Sequence, residues 1–210
     1  MVTISIGPPE SISLVAKRLI DLSGAAIGLA VLSPLFVAMA IGIKLDSKGP
    51  VFFVQERVGR NRRRFGTFKF RTMVEGAAQM QEALEPLNEA QGPVFKIRRD
   101  PRVTRLGKWL RRLSLDELPQ LLNVLLGDMS LVGPRPLALR DADLIDVRWH
   151  KRRFSVTPGL TCLWQINQRT PDFDAWVRSD IEYIDNWSLA LDLKILAKTV
   201  PAVISRRGVH

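Results

Sequence analysis

Two carboxylates stand side by side at Asp116-Glu117, inside the run Ser114-Leu115-Asp116-Glu117-Leu118-Pro119. Neighbours on a helix point about 100° apart, so the two can hold different tasks. A carboxylate can attack phosphorus and form an acyl phosphate. Its neighbour can hold Mg²⁺, a hard cation that takes carboxylate and phosphate oxygens. The same pair in a first helical turn also serves simply to complement the helix dipole. The setting adds weight to chemistry. Arg111 and Arg112 lie about one turn upstream, and Gly133-Pro134-Arg135-Pro136 follows. Arginine's planar fork matches phosphate oxygens. Lys69, Arg71 and Thr72 form a second cluster. In a strand Lys69 and Arg71 share one face and Thr72 takes the other, although a strand with charged outer positions looks the same. The third is Trp164-Gln165-Ile166-Asn167-Gln168-Arg169, after the turn Thr157-Pro158-Gly159. Its aromatic ring, amides and arginine suit a nucleobase and a phosphate, or an ordinary surface loop. Neither a phosphate-binding P-loop nor a dinucleotide fingerprint occurs.

The elements that must position these groups belong to a chain of 210 residues, one domain or at most two small ones. Hydrophobic residues at 46% and charged residues at 25% exclude intrinsic disorder. One Cys excludes a disulfide framework and a Cys-cluster metal site, and two His make a His-based zinc site a poor reading. Residues 44–112 carry 17 Lys/Arg and 7 Asp/Glu, which is the whole net charge of +10; the rest carries 14 of each. That clustering points to an anionic partner: nucleic acid, anionic lipid or a phosphorylated substrate. A solvated basic face is the plain alternative.

The pattern predicts an α+β fold, mainly helical. Strands are expected over 51–59 and 65–73, joined by a basic turn at 61–64. A polar helix interrupted by Pro86 is expected over 75–90. Residues 103–113 form a basic amphipathic helix of the membrane-surface kind. Ser114 with Glu117 reads as a capping box for a helix over 115–126, ended by Gly127. Further helices are expected over 141–153, 173–186 and 188–205, the last kinked by Pro201.

Residues 24–43 are uncharged over a length of about 30 Å as a helix, close to the thickness of a bilayer core. A cleaved signal peptide with an Ala38-Met39-Ala40 site, a spanning helix and a re-entrant hairpin compete. Ser33-Pro34 at mid-run favours the hairpin, because proline removes a backbone hydrogen bond and Ser33 can satisfy the freed carbonyl. Basic residues flank both ends, Lys17 and Arg18 before and Lys44 after, and basic flanks prefer the cytoplasmic side. The expected organisation is a tail at 1–16, a membrane hairpin at 17–45 and a cytosolic domain at 46–210.

Several long runs then carry a resemblance. FKFRTM (68–73), RDPRVTRLGKWLR (99–111), SLDELPQLLNVLLGDMSLVGPRP (114–136), PGLTCLWQINQR (158–169) and DIEYIDNWSLALDLKIL (180–196) resemble the bacterial sugar transferases, the monotopic phosphoglycosyl transferases. The resemblance runs from about Lys17 to the C-terminus and is nearest to undecaprenyl-phosphate hexose phosphotransferase domains, in a minimal form. It implies transfer of a sugar 1-phosphate from a UDP-sugar to polyprenyl phosphate, with release of UMP, at the start of exopolysaccharide, capsule or O-antigen synthesis. Asp116 would be the nucleophile and Glu117 the Mg²⁺ ligand. By the same resemblance Lys69, Thr72, Arg111, Arg135, Arg169 and Asp180 would fall on active-site positions and Ser33-Pro34 on the membrane break; Arg71 and Gln165, from the clusters above, complete the expected substrate-binding set. Galactose or glucose is the first expectation for the sugar. The partners implied are UDP-sugar, undecaprenyl phosphate and membrane lipid, with no nucleic acid; homo-oligomerisation is left open. The place implied is the bacterial inner membrane, with the domain facing the cytoplasm. Cys162 and Gln168 stand where this family commonly has glycine. A membrane-tethered basic binding module and a catalytically silent scaffold are the alternatives.

Overall fold

The computed structural model describes residues 11–89, 93–95, 97, 99–167 and 172–204. Helix α1, Ser11–Asp46, is long and apolar enough to cross a membrane. It is helical over 36 residues, with Pro34 inside it. The Ser33 hydroxyl explains the continuity. It donates to the Ala30 carbonyl at 2.8 Å, which is the acceptor that proline, having no N–H, leaves free.

One stripe of α1 is covered by the rest of the chain. Asp21, Ala25, Met39 and Ile43 are buried along it, with Leu29, Leu32 and Phe36 half-buried. Its polar members are tied down far from any neighbour in sequence. Lys17 Nζ donates to the Val132 carbonyl at 3.0 Å and pairs with Asp192 at 2.6 Å. Arg18 donates to the carbonyls of Val124 and Leu125. Asp21 accepts from Ser130 and from the Leu131 amide. At the other end Asp46 accepts from the Leu106 amide. Both ends of α1 therefore meet the same charged body. The opposite face is apolar and exposed, with Ile12, Val15, Leu19, Ile27, Val31, Val37, Ile41 and Leu45 all open.

Strands β1 (Phe52–Val58) and β2 (Arg64–Phe70) form an antiparallel hairpin, as alternation predicts. Residues 75–89 differ from expectation. They form turns and a short 3₁₀ helix over Glu82–Leu87, since Pro86 removes a donor and no apolar stripe anchors the segment. Helix α2, Arg105–Arg112, turns Leu106 and Leu110 inward and leaves Arg105, Lys108, Trp109 and Arg112 exposed. The expected capping box at Ser114 is absent. Ser114 adopts the left-handed conformation and caps nothing with its side chain; Leu115–Gln120 is 3₁₀, and α3 spans only Leu121–Leu126, after Pro119.

Strand β3 (Ser130–Val132) is followed by β4 (Leu137–Ala138), which joins the hairpin to give the order β2-β1-β4. The expected helix over 141–153 is instead a short α4, Leu139–Asp143, and a 3₁₀ segment Arg148–Ser155. Strand β5 (Gly159–Thr161) pairs parallel with β3. Helices α5 (Leu163–Ile166), α6 (Phe173–Asp185) and α7 (Leu189–Ile204, helical through Pro201) complete the fold. The core has three parts, and two of them include side chains of α1.

Candidate active site

Asp116 and Glu117 sit in the 3₁₀ turn that runs beside the free edge of β2. Asn123 aligns the two. Fully buried, it accepts from the Phe68 amide at 3.0 Å and donates to the Gly66 carbonyl at 2.7 Å, as a neighbouring strand would. Leu115 and Leu118 anchor the same turn in the cluster of Met39, Ile43, Phe70 and Leu110. The pair is thus fastened both to the sheet and to α1.

The two carboxylates are treated differently. Glu117 is gripped by cations: Lys69 Nζ donates to its Oε1 at 2.9 Å, and Arg135 makes a two-pronged contact with both oxygens. Burial pushes the Glu117 carboxyl up, but the charges and hydrogen bonds of Arg135 and Lys69 hold it well below the usual range. Asp116, 9% exposed, accepts no hydrogen bond from any described residue. Burial, then the charge of Glu117, raises its pKa, while Lys69, Arg111 and Arg135 pull it back. A fixed anion beside an unbonded one, within a ring of cations, can bind a phosphorylated ligand and still leave a carboxylate oxygen to attack it.

Arg111 reaches this ring through a close approach of backbones. A Cβ on Gly107 would lie 2.1 Å from the Thr72 carbonyl oxygen, so only glycine lets α2 seat there. One turn later Arg111 Nε donates to Thr72 Oγ1 at 2.8 Å. Arg135 is set by another close approach. Gly133, just past β3, and Gly159, which opens β5, touch backbone to backbone, and a Cβ on Gly159 would lie 2.0 Å from the Gly133 nitrogen.

Lys69, Thr72, Arg111 and Arg135 are therefore brought to the pair. Arg71 is turned elsewhere. Strand β2 ends at Phe70, and the Arg71 guanidinium donates to the Ser47 and Lys48 carbonyls just beyond α1. Gln165 lies in α5 beside Trp164, which stacks on Trp176 at 4.6 Å. Arg169 and Gln168 lie outside the described residues. Asp180 is buried and faces Arg153 at 2.8 Å; burial raises its pKa to about 6, against the pull of that guanidinium. Arg153 in turn donates to the Arg135 carbonyl at 2.7 Å and lies over the Trp176 ring, so Asp180 bears on the site through two arginines. Cys162 is buried, with its thiol pushed up to about 12 by burial, then by Asp180.

Three contributors escape a reading of the sequence. Arg57, on the same face of the hairpin as Lys69, donates to the Pro136 carbonyl at 2.6 Å and to Gln55 Oε1 at 2.7 Å. Burial, then Arg135, lowers its pKa to about 10. Period-2 alternation from Lys69 across the register was the available signal. Arg153 and Asn123 gave less: one charge in a basic run, and one amide inside an apolar run.

No described set of three or more His, Cys, Asp or Glu side chains clusters as a metal cage. Mg²⁺ does not need one, since it ordinarily rests on one or two carboxylates, water and substrate phosphates. The unbonded Asp116 and the Glu117 Oε2, which takes only one Arg135 nitrogen, fit that requirement.

The family model described as bacterial sugar transferase matches residues 12–206. The chain belongs to that family. The transferase is 44% identical over 197 residues to the galactosyl transferase CpsE of Streptococcus agalactiae, covering 93% of this chain and 43% of the relative. It is 41% identical over 210 residues to the exopolysaccharide production protein ExoY of Rhizobium meliloti, covering 96% and 91%. It is also 41% identical over 216 residues to the undecaprenyl-phosphate glucose phosphotransferase of Komagataeibacter xylinus, covering 96% and 38%. It thus spans less than half of two of these relatives and nearly all of the third. The names differ in sugar, so membership of the family leaves the sugar of this transferase open.

Proposed function

We propose that this transferase moves a sugar 1-phosphate from a UDP-sugar to undecaprenyl phosphate, through a covalent intermediate on Asp116. The observation that carries the reading is the division of labour in the pair. Glu117 is immobilised by Lys69 and Arg135, while Asp116 accepts no hydrogen bond from any described residue. An Asp116 oxygen attacks the sugar-bearing phosphorus. The bond from that phosphorus to the bridging oxygen breaks, and UMP leaves with the electron pair. An oxygen of the lipid phosphate then attacks the same phosphorus, the bond to Asp116 breaks, and the carboxylate is restored. Lys69, Arg111 and Arg135 neutralise the charge that gathers on the transferred group, and positioning does the rest. Glu117 would be the residue to hold Mg²⁺, which when bound would supply further charge neutralisation.

The acceptor is membrane-bound, and α1 supports delivery from the membrane. A helix whose two ends both pack on one charged body cannot pass that body through a bilayer, so α1 enters and leaves on a single face with its apolar side in lipid. The transferase is therefore read as monotopic, re-entrant and cytoplasmic-facing, where UDP-sugars are made. By its relatives it opens exopolysaccharide synthesis, with galactose or glucose as the sugar.

The test is UMP release from a panel of UDP-sugars, with Mg²⁺ and undecaprenyl phosphate, for wild type and Asp116→Asn. Release from one sugar that falls by about a thousandfold or more in the variant supports the reading. Equal release by both proteins, or none from any UDP-sugar by folded wild type, overturns it.

A further inference from the structure

Resting on that reading, we infer that Phe53 receives the first isoprene units of the lipid acceptor and so makes the site selective for a long-tailed phosphate. Three observations converge on it.

The first is register. Phe53 pairs with Lys69 across the hairpin, so the two side chains share one face, about 5 Å apart at Cβ. Lys69 Nζ touches Glu117, and Arg57 stands two pairs further on along the same face. Along this face the order is therefore an exposed aromatic ring, an ammonium in the site, then a buried guanidinium.

The second is exposure. Phe52, Phe53 and Val54 are 47%, 45% and 54% exposed, so both faces of this strand end are apolar and open. Phe52 has a place in the fold, stacked at 5.2 Å on Phe70, which meets Phe36 of α1 at 5.3 Å. Phe53 has no such ring contact among the described residues.

The third is continuity. The strand begins six residues after α1 ends, and through Phe52 and Phe70 this strand end is seated on Phe36 of α1. A lipid phosphate held at Lys69 would have its tail leave towards that strand end and meet Phe53 first. A nucleotide would bring no apolar chain to fill the same place.

The test measures KM for undecaprenyl phosphate and KM for the UDP-sugar in detergent, for wild type, Phe53→Ser and Phe53→Leu. The expected result is about a tenfold rise in the lipid KM for Phe53→Ser, with the donor KM moved less than twofold. Phe53→Leu, which keeps the apolar surface, returns the lipid KM to within about threefold of wild type. A short-tailed water-soluble prenyl phosphate shows a smaller change with Phe53→Ser than the long one does. Equal rises in both KM values, a rise in the donor KM alone, or no change in either overturns the inference. A wild type that releases UMP while Phe53→Ser leaves the lipid KM unmoved overturns this inference alone; a wild type that releases none overturns the functional reading together with it.

Discussion

Asn123 offers the sharpest test of how the reactive turn is held. It is fully buried and touches no reacting group, yet it bonds the Phe68 amide and the Gly66 carbonyl on the open edge of β2. Asn123→Leu keeps the branched shape in a bulkier side chain and removes both partners. Each orphaned backbone group costs about 1–3 kcal/mol, so the sum is about 2–6 kcal/mol. For a chain of this size each kcal/mol lowers Tm by roughly 2–4 °C, which places the expected fall between about 4 and 24 °C. Asn123→Asp keeps the acceptor, loses the donor and buries a charge, so it is expected to fall as far or further. The assay is thermal unfolding in one detergent, followed by far-ultraviolet circular dichroism, with UMP release measured well below the lower Tm. Release is expected to drop as well, because β2 carries Lys69. An Asn123→Leu protein that melts within 2 °C of wild type would refute the view that this amide stands in for a missing strand.

Lys69→Met removes a charge that lowers the pKa of both carboxylates, so both rise. On the proposed mechanism attack needs ionised Asp116, and the acid limb of the pH profile of kcat/KM should therefore move to higher pH; a limb that stays put or moves to lower pH counts against the assigned electrostatics. Gly107→Ala places a methyl group against the Thr72 carbonyl, where only backbone can give way. The expected cost is about 3 kcal/mol or more, read as a Tm lower by roughly 6–12 °C, together with slower UMP release as Arg111 loses its seat on Thr72.

Sequence and structure part company where partners are remote. The hairpin was legible because alternation is local, and Asp116-Glu117 was legible because the two carboxylates are adjacent. The boundary of α3 was misread. The Ser114/Glu117 spacing suits a cap, but Pro119 and the left-handed Ser114 set a 3₁₀ turn instead. That turn lets Glu117 face Lys69 and Arg135 while Asp116 stays apart. Asn123, Arg153 and Arg57 could not be ranked, because their partners lie far away in sequence and only the folded chain selects them. Arg71 shows the converse error. It stands two residues after Lys69, yet the strand stops at Phe70 and the side chain turns to the end of α1. Pro34 lies inside α1, where the Ser33 hydroxyl takes up the carbonyl that proline leaves free.

The anchoring of α1 also dictates an order of events during synthesis. Lys17 finds its carbonyl 115 residues later and its carboxylate 175 residues later, and Arg18 waits for residues 106 and 107 positions away. At about 5–20 residues per second, roughly 9–35 s separate Lys17 from Asp192 on the ribosome. Through that interval α1 has an apolar face and a stripe of unpaired charges, and no body to rest on. Contacts of such long sequence separation form slowly. On the membrane-bound reading proposed above, the helix therefore meets the lipid surface before it meets its own domain, and the domain is assembled onto a helix already there.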